Sequence, residues 1–223
     1  VVEVIRSITN SDCNVLLTGE SGVGKGLIAK IIHHTGNRKD KPFLGLNCAI
    51  FTEEMLASEL FGHERGAFTG AVASKKGLIE VADTGTLFLD EIAEMTPSLQ
   101  AKLLKVIEDK EFMRVGGTRL IKVNVRLIAA TNQNLSTLIK EGKFREDLYY
   151  RLNVMDIFIP PLRERKEDIT PLIKHFLQKY AKKENKKITG FSKDAMDILI
   201  SYGFPGNVRE LENIIERAVI LEK

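Results

Sequence analysis

The segment Gly19-Glu20-Ser21-Gly22-Val23-Gly24-Lys25 lies between an apolar run, Val15 to Thr18, and a helix-like stretch, Leu27 to Ile32. Glycines at that spacing open backbone conformations closed to other residues, so a chain can leave a strand, turn and enter a helix within a few residues. Further runs rich in Val, Ile, Leu and Phe follow at Phe43 to Asn47, Thr86 to Asp90, Arg126 to Thr131 and Val154 to Ile159. Each has strand length, and longer helical patterns separate them. Runs apolar on both faces suit a parallel sheet buried between helices, so the sequence predicts an α/β fold.

After Pro160-Pro161 the pattern turns helical only. Glu167 to Lys183 is amphipathic, Ser192 is a candidate N-cap for a helix through Ile200, and Asn207 for another holding Val208, Leu211, Ile214, Ile215 and Ala218. The expected organisation is an α/β core over residues 1–165 and a small α-helical lid over 166–223. The run Lys182-Lys183-Glu184-Asn185-Lys186-Lys187 reads as a solvated turn between lid helices.

Composition removes several classes. With 43% hydrophobic and 28% charged residues in 223, the chain can bury a large core beneath a solvated surface. The longest apolar runs fall far short of the roughly 20 residues that span a bilayer, and Val1 to Thr9 lacks a secretory pattern. A cytoplasmic location without a membrane partner is the expectation. Cys13 and Cys48 have no metal-ligand spacing and read as reduced structural residues. A formal charge of +3, with basic residues scattered among acids, does not mark a nucleic-acid strip.

In its strand-loop-helix setting, Gly19 to Lys25 has the form of a P-loop. Backbone N–H groups at Gly19, Glu20, Ser21, Gly22, Val23 and Gly24 can turn around phosphate, and Lys25 can reach the β/γ oxygens. Gly26 and Leu27 border that cradle. Gly26 stands where the generic motif has a Ser or Thr for magnesium, so that direct ligand is missing. Leu87-Phe88-Leu89-Asp90-Glu91 is an apolar run ending in two carboxylates, which suits either an acidic strand cap or a Walker B pair. In the second reading Asp90 holds magnesium and Glu91 orients and deprotonates water. Asn132, after Thr131, is a candidate γ-phosphate sensor or a turn residue, and Asn47 a candidate restraint on Glu91.

Together with Glu59-Leu60-Phe61-Gly62-His63-Glu64-Arg65-Gly66-Ala67-Phe68-Thr69-Gly70-Ala71, these segments resemble the AAA+ domain of sigma-54 activators, the bacterial enhancer-binding proteins. The resemblance covers nearly the whole chain. Residues Gly66 to Ala71 spell the GAFTGA loop of that family, a far more specific mark than a P-loop. Phe144 to Leu152 is similar to its arginine-finger segment, Pro160 to Arg165 to its linker, and Gly206 to Leu211 to its sensor II segment. Gly26, Ala93 and Phe204 stand where the family commonly carries Glu, Gly and Trp.

The resemblance implies an ATP- and Mg2+-dependent ATPase with an AAA+ P-loop core and helical lid, assembling as a homo-oligomeric ring, hexamer or heptamer. It implies that Arg145 and Arg151 enter a neighbouring subunit's site and that Arg209 contacts nucleotide from the lid. Asn47 would restrain Glu91, and Asn132 would lie in sensor I. The loop Gly66, Ala67, Phe68, Thr69, Gly70 and Ala71 would engage sigma-54 and remodel the closed promoter complex, with promoter DNA touched only indirectly. On position alone, surface salt bridges near Glu146 and Asp147 are the favoured reading of Arg145 and Arg151, and it is the resemblance that reverses it. Phe68, flanked by small residues, is expected as an exposed aromatic tip; a hairpin tucked in on its glycine turns is the other reading. A second glycine loop, Val115-Gly116-Gly117, is expected to support the first. Other AAA+ remodellers, or a nucleotide-binding assembly module without turnover, are the alternatives. With no helix-turn-helix and no receiver-like segment recognisable, the reading expects a central domain of a longer protein.

Overall fold

The structure, a computed structural model, describes residues 2–8 and 10–222. It divides into two compact units, Val1–Thr18 with Gly26–Phe158, and Gly19–Lys25 with Ile159–Lys223. The first carries α1 (Val2–Ile8), β1 (Val15–Thr18), most of α2 (Lys25–Thr35), β2 (Phe43–Asn47), α3 (Glu53–Phe61), β3 (Gly62–His63), β4 (Lys75–Lys76) and α4 (Leu78–Val81). It continues through β5 (Thr86–Asp90), α5 (Pro97–Asp109), β6 (Glu111–Met113), β7 (Leu120–Lys122), β8 (Arg126–Thr131), α6 (Leu135–Lys140), α7 (Glu146–Leu152) and β9 (Met155–Phe158).

Its main sheet has five parallel strands in the order β2-β5-β8-β1-β9. Side chains alternate between two apolar layers, as the pleat requires. Leu16, Leu87, Leu89, Leu127 and Ala129 join Leu56 and Leu60 of α3, Leu99 and Leu103 of α5, and Leu148 and Leu152 of α7. Val15, Leu17, Phe88, Ile128 and Ala130 face the other way, against Ile5 and Ile8 of α1 and Ala29 and Ile32 of α2. Every residue of β8 is buried, which explains its unbroken apolar run, while the edge strands β2 and β9 are partly exposed.

Two antiparallel hairpins, β3–β4 and β6–β7, lie outside that sheet; a hairpin around Gly66–Ala71 is the second of the two readings given for that loop, and β6–β7 is not expected from the sequence. Strands of two and three residues are too short to show a period. The fifth expected strand is shorter by one residue at each end, and its outer residue Val154 is exposed.

At the amino ends of the strands, Arg38 is 9% exposed and binds Gly85 and Asn124 carbonyls, the Asn124 side chain, and both oxygens of Asp12. A planar fork suits such convergent acceptors, and leaving them unpaired is costly.

The second unit holds α8 (Ile169–Lys183), α9 (Lys193–Ser201) and α10 (Asn207–Leu221). Ile169, Ile173, Phe176, Leu177 and Tyr180 of α8 meet Leu211, Ile215 and Val219 of α10 over Leu162, Leu199 and Phe204. Ser192 caps α9 through the Ala195 N–H at 3.3 Å, as expected. The helix expected from Glu167 begins at Ile169, after a 3-10 turn over Lys166–Asp168. Within the expected solvated turn, Lys186 differs: its ammonium donates to the carbonyls of Val219, Ile220 and Glu222, where a cation complements the end of α10. Among the described residues, no helix is long and apolar enough to cross a membrane.

Arg38→Met should lower unfolding free energy by about 2–4 kcal/mol in urea titrations, because it strips partners from buried carbonyls. Arg38 also holds the Asp12 carboxyl below its ordinary range by hydrogen bonding. A depressed carboxylate pKa stabilises above the unfolded value of 3.8 and is lost as pH falls through the folded one, so the variant should show weaker acid destabilisation below pH 4 than the parent. Equal stability and equal acid profiles would contradict the account.

Candidate active site

The glycine loop belongs to the same compact unit as the lid. Gly22 has φ +80°, and a Cβ there would lie 2.4 Å from the Gly206 carbonyl, so only glycine lets the two backbones approach. The Val208 N–H donates to the Gly22 carbonyl at 3.1 Å. Gly24 has φ +105°, yet a Cβ there would meet nothing within 4 Å. The loop is thus tight where it meets the lid and open at Gly24. Lys25, 6% exposed, turns its ammonium onto the Gly19 and Glu20 carbonyls at 2.9 and 3.3 Å. A glycine cradle with a lysine at its helix end fits phosphate.

Four lid side chains reach this loop. Arg163 grips Glu20 with two bonds of 2.9 and 2.6 Å, Arg165 donates to the Val23 carbonyl at 2.8 Å, and Arg209 to the Ser21 hydroxyl at 3.2 Å. Fully buried Asn207 accepts from the Leu162 N–H at 2.8 Å and donates to Glu20 and to the Ser21 carbonyl. Its expected role as a helix cap is corrected. Asn207 is itself the first residue of α10 at φ +54°, and its amide is committed to other segments. Bonds from Arg163, then Asn207, pull the Glu20 carboxyl down to about 2. The sequence reading missed these holding roles of Asn207, Arg163 and Arg165. Their segments were singled out, but nothing local reveals partners more than 140 residues away.

In the first unit, neighbouring strand ends gather the polar candidates. Asn47 is in register with Asp90, the last residue of β5. Glu91 follows in a left-handed turn, φ 52° and ψ 51°, which swings its side chain out of the strand's alternation. Its Oε2 accepts from the Asn132 N–H at 3.3 Å, and its own N–H donates to Asp90 Oδ1 at 3.1 Å. Asn47 uses its oxygen to cap the next turn, through the Ala49 N–H at 2.9 Å. Gln133 binds Glu94 at 2.5 Å, tying the end of β8 to the turn after β5. Burial, then the charges of Asp90, Glu91 and Glu94, push the Cys48 thiol up to about 12. That negative field suits a cation, and a single strand-end carboxylate completed by phosphate oxygens and water is a donor set magnesium accepts.

Arg145 and Arg151 are not drawn into this group. Arg145 makes a paired contact with Asp147 at 3.0 and 2.7 Å, and Arg151 bonds Glu108 at 2.8 Å. Both remain substantially exposed.

The Gly66–Ala71 loop rises from the β3–β4 hairpin and closes on itself through Gly66 N–H to the Ala71 carbonyl at 2.8 Å and Ala71 N–H to the Phe68 carbonyl at 3.0 Å. The expected exposed aromatic tip is corrected: Phe68 is half-buried, edge-on to His63 with ring centres 5.0 Å apart. Thr69 is exposed. The second glycine loop abuts the first, since a Cβ at Gly116 would lie 2.7 Å from that of Ala67. Arg114 binds Glu64 and Glu80, fixing the loop's base to the β6–β7 hairpin and α4.

Residues 1–158 match the model of the sigma-54 interaction domain, and residues 163–223 that of the AAA+ ATPase lid domain. The chain belongs to the sigma-54 interaction family.

Among curated members it is 54% identical over 211 residues to a Nif-specific regulatory protein of Herbaspirillum seropedicae, covering 95% of this chain and 39% of that one. It is 53% identical to the regulatory protein AtoC of Escherichia coli (strain K12), covering 96% and 46%. The chain thus spans less than half the length of these relatives. The crystal structure of NtrX from Brucella abortus in complex with ATP superposes with a TM-score of 0.92 at 40% identity, covering 99% of this chain and 48% of that one. Hsp104, 18% identical with a TM-score of 0.66 over 93% of this chain and 40% of that one, shares the fold.

In this family member, Asn207→Ala should strip partners from the buried Leu162 N–H and Ser21 carbonyl. We expect a loss of about 2–4 kcal/mol in urea unfolding. An unchanged midpoint would contradict the assignment.

Proposed function

We propose that this chain is a magnesium-dependent ATPase whose turnover moves the Gly66–Ala71 loop against sigma-54 to remodel a closed promoter complex. Supporting hydrolysis is the turn at Glu91, which spends left-handed strain to set a carboxylate at the end of β8 beside the Asn132 N–H. Supporting the target are the Gly66–Ala71 hexapeptide and membership in the family.

In this reading the Gly19–Lys25 backbone and Lys25 hold the phosphates, and Gly26, Leu27 and Arg209 border them. Asp90 is the residue that would hold magnesium, which supplies charge neutralisation when bound. Glu91 takes the proton of the attacking water, a role worth about 10²–10⁴ in rate. Asn132 and Asn47 set the orientation of that carboxylate. Arg145 and Arg151 leave Asp147 and Glu108 to complete the site of the next subunit in a hexameric or heptameric ring, making turnover depend on assembly. The core expected over 1–165 and the lid expected over 166–223 serve that cycle in the cytoplasm, with residues 19–25 and 159–165 grouped with the lid. A second reading, a nucleotide-binding assembly module without turnover, is favoured by Gly26, where the hydroxyl of the generic motif is missing.

The loop geometry frames the test. Phe68 folds against His63 while Thr69 stays exposed, and Gly66 and Gly70 hold positive φ angles that favour glycine at both ends of the segment. Thr69→Ala should retain ATP hydrolysis and assembly but lose sigma-54 in native-gel titrations. The parent should bind sigma-54 best with a hydrolysis transition-state mimic and weakly with ADP. Equal binding by both proteins in every nucleotide state would reject the loop's role.

A further inference from the structure

The phosphate cradle carries a carboxylate of its own. Glu20 is the second residue of the loop, and an uncompensated anion there opposes a ligand that is itself strongly negative. Arg163 meets it from the lid with a two-pronged contact of 2.9 and 2.6 Å, the geometry in which guanidinium and carboxylate bind most strongly. Arg165 and Arg209 also reach the loop, but through neutral acceptors, the Val23 carbonyl and the Ser21 hydroxyl. Among the described residues, Arg163 is therefore the lid arginine placed to cancel a loop charge.

We propose that Arg163 is a positioning residue that neutralises Glu20, so that the Glu20–Arg163 pair sets how strongly the loop prefers the more highly charged nucleotide. This rests on reading Gly19–Lys25 as the nucleotide cradle. A purely mechanical clasp between loop and lid would weaken all nucleotides alike when broken. A charge pair acts in proportion to ligand charge, and its two halves act with opposite sign. The Glu20 carboxylate stays ionised at neutral pH, held down to about 2 by Arg163 and Asn207, so both charges are present under working conditions. Both side chains are partly exposed, so the effect is screened by salt.

The test is calorimetric titration of the 223-residue chain with a non-hydrolysable ATP analogue and with ADP, at low and high salt. Arg163→Gln should lower the preference for the triphosphate over the diphosphate by about three-fold, the scale of one screened charge at this range. Glu20→Gln should raise that preference by a similar factor. The double variant should return to the parent ratio, and all ratios should converge at high salt. Should Arg163→Gln fail to fold, the rise in Glu20→Gln is still required. Equal losses for both nucleotides, no sign reversal, or no rescue would overturn the charge role while leaving the cradle assignment standing. A parent chain that binds neither nucleotide would overturn both.

Discussion

The buried amide of Asn207 joins three segments that are far apart in the chain: the linker at Leu162, the loop at Glu20 and Ser21, and the start of α10. A fully buried amide is tolerated because its hydrogen bonds are made, and here they tie the loop at Glu20 and Ser21 to the backbone at Leu162. Gly22 completes the junction by permitting backbone contact with Gly206, and Val208 returns a hydrogen bond. Loop and lid are in consequence one packed body, so any force on the phosphate cradle is felt by the helices.

The sheet makes a second arrangement of the same economy. Alternating side chains bury both faces of β5 and β8, and polar groups are left for the carboxyl ends, where open α/β sheets commonly bind ligands. Asn47, Asp90, Glu91 and Asn132 arrive there from three adjacent strands without any long loop. The left-handed turn at Glu91 costs of order 1–3 kcal/mol, and such strain concentrates at working sites.

Much of this was legible in sequence because it is local. The five parallel strands declare themselves as apolar runs, and the glycine loop and acidic pair stand beside them. What was not legible depends on distant partners. Asn207 looks like a helix cap in a local window, yet its bonds run to residues more than 180 positions earlier. Phe68 looks exposed by its small neighbours, but His63, brought alongside by the β3–β4 hairpin, offers it an aromatic edge. The hairpins themselves are below the length at which periodicity speaks. Arg145 and Arg151 are paired within the chain, as exposed arginines near acids are on position alone, and the catalytic part proposed for them depends on a neighbouring subunit.

Whether the strained carboxylate at Glu91 serves hydrolysis, or the fold only binds nucleotide, is decided by measuring phosphate release over many turnovers beside equilibrium ATP binding on the same preparation. Hydrolysis at Glu91 should give release well beyond one phosphate per chain, with rate per chain rising as concentration favours assembly. Saturable ATP binding with no release beyond a single turnover, at concentrations where the chain is assembled, would contradict it.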